Sequence, residues 1–216
     1  MEWLSPVNPR QSYEGIAKSR TPGSGAWFGA NKRVLNWYDS DATSVFWLNG
    51  ITGAGKTTLM TTTIETTIHK NDGHDRVAYF YCSFTDSESL GTANILGSIL
   101  AQLCKPEDKS YKNLESLYDE RLGSRTGKPI RLTVDHLINL VIELDQCLER
   151  VHILVDAVNE SGNWYNILQS FESITKSLSD QAALHLFISS INEKGIDRSM
   201  QKLPNIIIET LSPRDI

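Results

Sequence analysis

Val45-Phe46-Trp47-Leu48-Asn49 runs without a break into Gly50-Ile51-Thr52-Gly53-Ala54-Gly55-Lys56-Thr57 and then into Thr58-Leu59-Met60. The first five residues are β-prone and mostly apolar, as a strand buried within a parallel sheet should be. The next eight fit G-x-x-x-x-G-K-[ST], a spacing in which each residue type has a chemical reason. Gly50, Gly53 and Gly55 have no Cβ, so the backbone can turn its N–H groups inward onto phosphate oxygens. Lys56 is placed to reach the β- and γ-phosphates of a nucleotide, and Thr57 to offer its hydroxyl to Mg²⁺. A helix opening at Gly55 aims its positive end at the anion. The candidate nucleotide ligands are therefore Gly50, Thr52, Gly53, Ala54, Gly55, Lys56, Thr57 and Thr58.

A phosphate loop hydrolyses nothing alone. It needs an acidic residue at the C-terminal end of another core strand to hold Mg²⁺. Val151-His152-Ile153-Leu154-Val155 is an apolar run that ends in Asp156, and Glu160 follows four residues later. An Asp at a strand's C-terminal end faces the crevice where open α/β sheets bind ligands. Lys56, Asp156 and Glu160 are thus the candidate catalytic set, with Thr57 and Asp156 as the candidate metal ligands. In this reading Glu160 polarises the attacking water. Leu184 to Ser190 supplies the other strand expected beside the phosphates. Ser189 or Ser190 is either a phosphate-sensing hydroxyl or a hydrogen-bonded strand-end serine.

The remaining periodicities alternate strand and helix, which implies a mainly parallel five-stranded sheet covered by helices on both faces. Helices are expected over about 26–38, 55–70, 111–122 and 164–178. Ile95, Leu96, Ile99, Leu100 and Leu103 form a helical stripe ending before Pro106, and Thr133 is a candidate N-cap for another helix. Strands are expected over 76–84, 151–155, 184–189 and 206–208. Residues 123–129 read as a loop. Residues 1–25, with Pro6, Pro9 and Pro22, read as a linker carrying at most a short helix near 13–18, leaving 26–216 as the nucleotide-binding domain. Trp27 and Trp37 read as core aromatics, or as a segment bordering the nucleotide base.

At 216 residues the chain suits one α/β domain. A net charge of −5 gives no reason to expect nucleic acid or an acidic membrane as partner. Cys82, Cys104 and Cys147 lack metal spacing and read as buried free thiols, and the five histidines, His69, His74, His136, His152 and His185, read as structural or surface groups. The N-terminus has no signal-peptide pattern, and no run approaches the ~18 apolar residues of a membrane span. The expected location is the cytoplasm.

These elements, in this order, resemble the NACHT domain of STAND-class P-loop NTPases, of the fungal NOD-like receptor type with a nephrocystin-3-like N-terminal domain. Trp3 to Pro6, Arg20 to Phe28, Val45 to Thr57, Tyr79 to Phe84, Leu96 to Leu103 and Val151 to Glu160 carry the resemblance. It implies a P-loop switch that binds ATP or GTP with Mg²⁺, hydrolyses it slowly, and controls oligomerisation and an attached effector in non-self recognition and programmed cell death. No base-reading motif separates ATP from GTP. Self-association or effector contacts are implied for a full-length protein, with the chain stopping before the winged-helix region. Three departures bear on hydrolysis: Asn159 and Ile191 stand where the family usually has Asp and a sensing Arg, and Gly97 stands where it usually has Arg. They favour an alternative, a hydrolysis-deficient binding module.

Overall fold

The computed structural model describes residues 3–71, 75–85, 91–106, 109–122, 131–145, 148, 150–178 and 183–211. The helices are α1 (Pro9–Ser19), α2 (Ala26–Gly29), α3 (Lys32–Tyr38), α4 (Lys56–Lys70), α5 (Thr92–Leu103), α6 (Lys109–Leu122), α7 (Val134–Asp145), α8 (Trp164–Ser177) and α9 (Lys194–Met200). The strands are β1 (Ser44–Gly50), β2 (Arg76–Tyr81), β3 (Arg150–Asp156), β4 (Ala183–Ser190) and β5 (Ile206–Leu211). They form one sheet in the order β2-β3-β4-β1-β5, and every pairing is parallel. β4 therefore lies between the strand that feeds the phosphate loop and the strand that ends in Asp156.

The strands are apolar on both faces because helices cover both. Along β1, Val45 and Trp47 point into one core with Ile95, Ile99, Leu140 and Phe171 of α5, α7 and α8. Phe46 and Leu48 point the other way, into a core with Phe28, Trp37, Leu59 and Met60 of α2, α3 and α4. Phe46 stacks on Phe187 of β4 with centroids 4.7 Å apart, which locks the β1–β4 register from the side chains as well as the backbone.

The hydroxyls of the Thr-rich α4 are satisfied locally, and packing holds the helix. Thr61, Thr62, Thr63 and Thr66 each donate their hydroxyl to the carbonyl four residues back. Thr61 Oγ1 also meets the Tyr81 hydroxyl at 3.0 Å, which ties the helix to β2.

Several expected boundaries move. The helix expected over 26–38 is two helices, because Asn31 turns extended and N-caps α3, its Oδ1 accepting from Arg33 N–H at 2.8 Å. The strand expected over 76–84 ends at Tyr81. Its partner β3 leaves the sheet at Ala157, whose φ is +51°, and the last backbone bond is from Cys82 N–H to the Asp156 carbonyl. Residues 84 and 85 form a turn beyond the strand. The sequence reading has no counterpart to α9.

The N-terminal stretch is more structured than a linker with a short helix at 13–18. Asn8 caps α1 and Pro9 occupies its first turn, so the helix begins four residues earlier. Leu4 is buried in the core against α5, and the Trp3 ring lies 5.4 Å from Tyr118 on α6. Tyr13 meets Tyr79 on β2. Arg20 donates to Glu65 Oε2 at 2.6 Å and to Thr62 Oγ1 at 2.7 Å on α4. This strap runs across α6, α5, β2 and α4, and what permits its closest approach is Gly97: a Cβ there would lie 2.2 Å from the Leu4 carbonyl oxygen. The expected loop at 123–129, His74 and Cys147 lie outside the described residues. Cys82 and Cys104 are buried and free of disulfides.

Candidate functional site

The site lies at the C-terminal edge of the sheet, where β1, β3 and β4 end. Gly50 closes β1 so tightly against β5 that an added Cβ would lie 3.0 Å from the Leu211 carbonyl oxygen. Gly53 and Gly55 take φ of +82° and +74°, left-handed values that glycine adopts without penalty. Gly55 is also the N-cap of α4 and has no side chain to occupy the first N–H groups of the helix. Those donors and the helix dipole are left facing the loop.

Lys56 curls back over the loop. Its Nζ donates to the carbonyls of Gly50 at 2.9 Å and Ile51 at 2.8 Å. Partial burial lowers the Lys56 pKa, while Asp156 and Glu160 push it back up. The ammonium is thus held by the carbonyls at the start of the loop.

Asp156 is buried at the end of β3, with 3% of its surface exposed. Burial raises its pKa; hydrogen bonds from Ser189 and Thr57, together with the Lys56 charge, oppose that shift, and Glu160 adds to it. Ser189 Oγ donates to Asp156 Oδ1 and accepts from Ala157 N–H at 2.8 Å. The backbone then makes a short 3₁₀ turn, Val158–Glu160, that carries Glu160 to the cleft. Asn159 Oδ1 accepts from Ile191 N–H at 3.0 Å. Ser190 is engaged elsewhere, accepting from Trp47 Nε1–H at 2.8 Å and donating to the Ile191 carbonyl.

The cleft these residues surround holds about 680 Å³, and its lining includes Thr52 through Thr58, Asp156, Asn159, Glu160 and Ser189. The structure brings together Thr52, Gly53, Ala54, Gly55, Lys56, Thr57, Thr58, Asp156 and Glu160 as the sequence expects. Gly50 contributes its carbonyl to Lys56 from behind the loop. Three further residues reach the cleft that the sequence does not point to: Phe84 beyond β2, Ala157 after β3, and Glu193 at the start of α9; Ile191, noted for its place after the strand, lines it too. Phe84 is 65% exposed despite its size, and an aromatic closing a β-rich run was the available signal. Trp37 is fully buried and donates Nε1–H to the Leu186 carbonyl, whereas Trp27 is half exposed and edge-on to Phe28. Neither is among the described residues that line the cleft.

The donor set fits a small hard cation. Thr57 and Asp156 offer a hydroxyl and a carboxylate within hydrogen-bonding reach of each other. Among the described residues no cluster of three or more His, Cys, Asp or Glu could hold a metal by itself. Such a cation would have to complete its shell with phosphate oxygens and water, as Mg²⁺ at nucleotide sites does.

Residues 23–191 match the family described as Nephrocystin 3, N-terminal. The chain belongs to that family. As a nephrocystin 3 N-terminal domain of NACHT type, it is also 21% identical over 198 residues to the vegetative incompatibility protein HET-E-1 of Podospora anserina. That similarity covers 91% of this chain and 14% of the fungal protein, so the chain spans about one-seventh of its relative's length. Among solved structures it is similar to Aeropyrum pernix ORC1 in a complex with DNA, with a TM-score of 0.49 and 13% identity over 98% of this chain and 49% of that one. C. elegans PCH-2 gives a TM-score of 0.43 and 13% identity, covering 93% and 46% of the two chains. Family, phosphate loop and parallel sheet make this a STAND-type nucleotide-binding module.

Proposed function

We propose that this nephrocystin-3-type domain is a Mg²⁺-dependent switch that binds a nucleoside triphosphate, ATP or GTP, and hydrolyses it slowly. The observation that carries the reading is the convergence of Lys56, Thr57, Asp156 and Glu160 on one cleft although they come from three different elements. Thr57 and Asp156 would hold Mg²⁺, which neutralises phosphate charge when bound. Lys56 exchanges two carbonyl partners for phosphate oxygens, and the free N–H groups at the start of α4 receive the remaining anionic charge. Glu160, on its short turn, accepts a hydrogen bond from the attacking water and orients it.

In a longer protein, such as the relative of which this chain covers 14%, the module would sit in the cytoplasm and couple nucleotide state to self-association and an effector domain. Its boundary near residue 25 would then be functional more than structural, since the strap before it packs on α4. A second reading, a module that binds and does not hydrolyse, is favoured by one observation. Ile191 offers no side-chain hydrogen bond to a γ-phosphate, and its N–H is committed to Asn159. The test is to denature the protein as purified, identify any released nucleotide, and measure steady-state turnover with Mg²⁺ and ATP or GTP. Bound diphosphate with slow turnover supports the switch. Bound nucleotide without turnover supports the second reading, and no affinity for either nucleotide refutes both.

A further inference from the structure

The end of β4 holds the acidic turn after β3 at two points. Ser189 is fully buried; its one O–H goes to Asp156 Oδ1, and its oxygen accepts from Ala157 N–H. Two residues on, Ile191 N–H closes onto Asn159 Oδ1. Ala157, whose N–H makes part of the first tie, has a φ of +51°, a conformation that a non-glycine residue keeps only where its surroundings fix it. Ser190 faces away, toward Trp47.

A serine hydroxyl has a single donor. Because Ser189 commits that donor to Asp156, it has none left for a phosphate oxygen. Its remaining capacity is to orient. Asp156 sits at a strand end beside Thr57, and its carboxylate can rotate unless something holds one oxygen. We propose that Ser189 is a positioning residue of the cation site: with the Asn159–Ile191 tie, it latches β4 to the turn after β3, so that Asp156 meets a nucleotide-borne divalent cation in one orientation. This rests on the nucleotide-binding reading above. It assigns Ser189 to the cation rather than to the γ-phosphate, and it gives Asn159 a structural task.

Partners that orient a metal ligand typically account for about 10–100-fold in metal affinity. The experiment uses the full chain with fluorescent N-methylanthraniloyl ATP and GTP, bound first in EDTA and then titrated with Mg²⁺. Ser189→Ala is expected to raise the Mg²⁺ midpoint by about 10-fold or more, and Ser189→Thr, which keeps the donor, to restore it. If alanine does not fold, Ser189→Cys replaces it. Its weak S–H donor should then place the midpoint above that of threonine. A midpoint that does not move across the series overturns the proposal. So does an equal loss of nucleotide affinity with EDTA and with Mg²⁺, which would make Ser189 a phosphate ligand. Failure of the unsubstituted protein to bind either analogue overturns the nucleotide reading itself, and the proposal with it.

Discussion

Replacing Gly97 by alanine isolates what the N-terminal strap contributes. A Cβ at this position would lie 2.2 Å from the Leu4 carbonyl oxygen and 2.9 Å from its carbon, both backbone atoms that cannot rotate away. The overlap is relieved only if Trp3 and Leu4 lift from α5. That exposes Leu4, now 7% accessible, at about 1.5–3 kcal/mol, and breaks the Trp3–Tyr118 pair, at about 0.5–1.5 kcal/mol. Alanine in a helix interior returns about 1 kcal/mol through propensity. The balance is a loss of roughly 1–3.5 kcal/mol, and for a chain of this size a Tm lower by about 3–10 °C. Denaturant unfolding followed by tryptophan fluorescence would measure it. A double-mutant cycle decides the mechanism: if Gly97→Ala already displaces Leu4, then Leu4→Ala should cost almost nothing in its presence. A Gly97→Ala protein that is more stable than the parent by the propensity gain alone would refute the reasoning. So would simple additivity of the two substitutions.

Three other outcomes are expected. His152 and His185 are fully buried between β3, β4 and α3, where burial lowers both pKa values to about 3, aided at His185 by His152 and at both by the Arg150 charge, and opposed at His185 by a backbone hydrogen bond with Ser40 and the Asp75 charge. Each is neutral when folded and titrates near 6.5 when unfolded, so stability is full above about pH 6.5 and falls as pH drops. By pH 4.5 each of the two should have cost about 3 kcal/mol; urea midpoints across pH 4.5–7.5 would show it, and His185→Phe should roughly halve the slope if the fold tolerates it. Lys56→Ala should remove measurable triphosphate binding by calorimetry, and unchanged affinity would refute the site. Glu160→Gln should leave the nucleotide bound and lower single-turnover hydrolysis by at least about tenfold; equal rates would remove Glu160 from the mechanism.

Most of the site was legible because it is local. The phosphate loop is one contiguous motif, and Asp156 ends an unbroken apolar run, so both could be placed from strand patterning alone. The strap was not legible. Its prolines and weak periodicity look like a linker, and its anchors, Leu4 and Trp3, acquire meaning only when a glycine 93 residues away (97 minus 4) opens a landing site on α5. The early end of β2 was hidden for a related reason. RVAYFYCSF is β-prone throughout, yet a strand continues only while its neighbour does, and β3 departs at Ala157. The helix α9 did leave a signal, Ile196 and Met200 at i and i+4, both buried, but seven residues give too short a period to stand out.

The cleft also explains why a cation belongs with the nucleotide. Among its described lining residues Asp156, Glu160 and Glu193 are acidic, and Lys56 is the basic one. A polyphosphate entering such a site alone would add anionic charge to a surplus of it, in surroundings where burial already raises the Asp156 pKa. Under the proposed function, a divalent ion between Thr57 and Asp156 would reverse the balance at the point where it is worst. Lys56 can then release the Gly50 and Ile51 carbonyls for phosphate without leaving the carboxylates uncompensated.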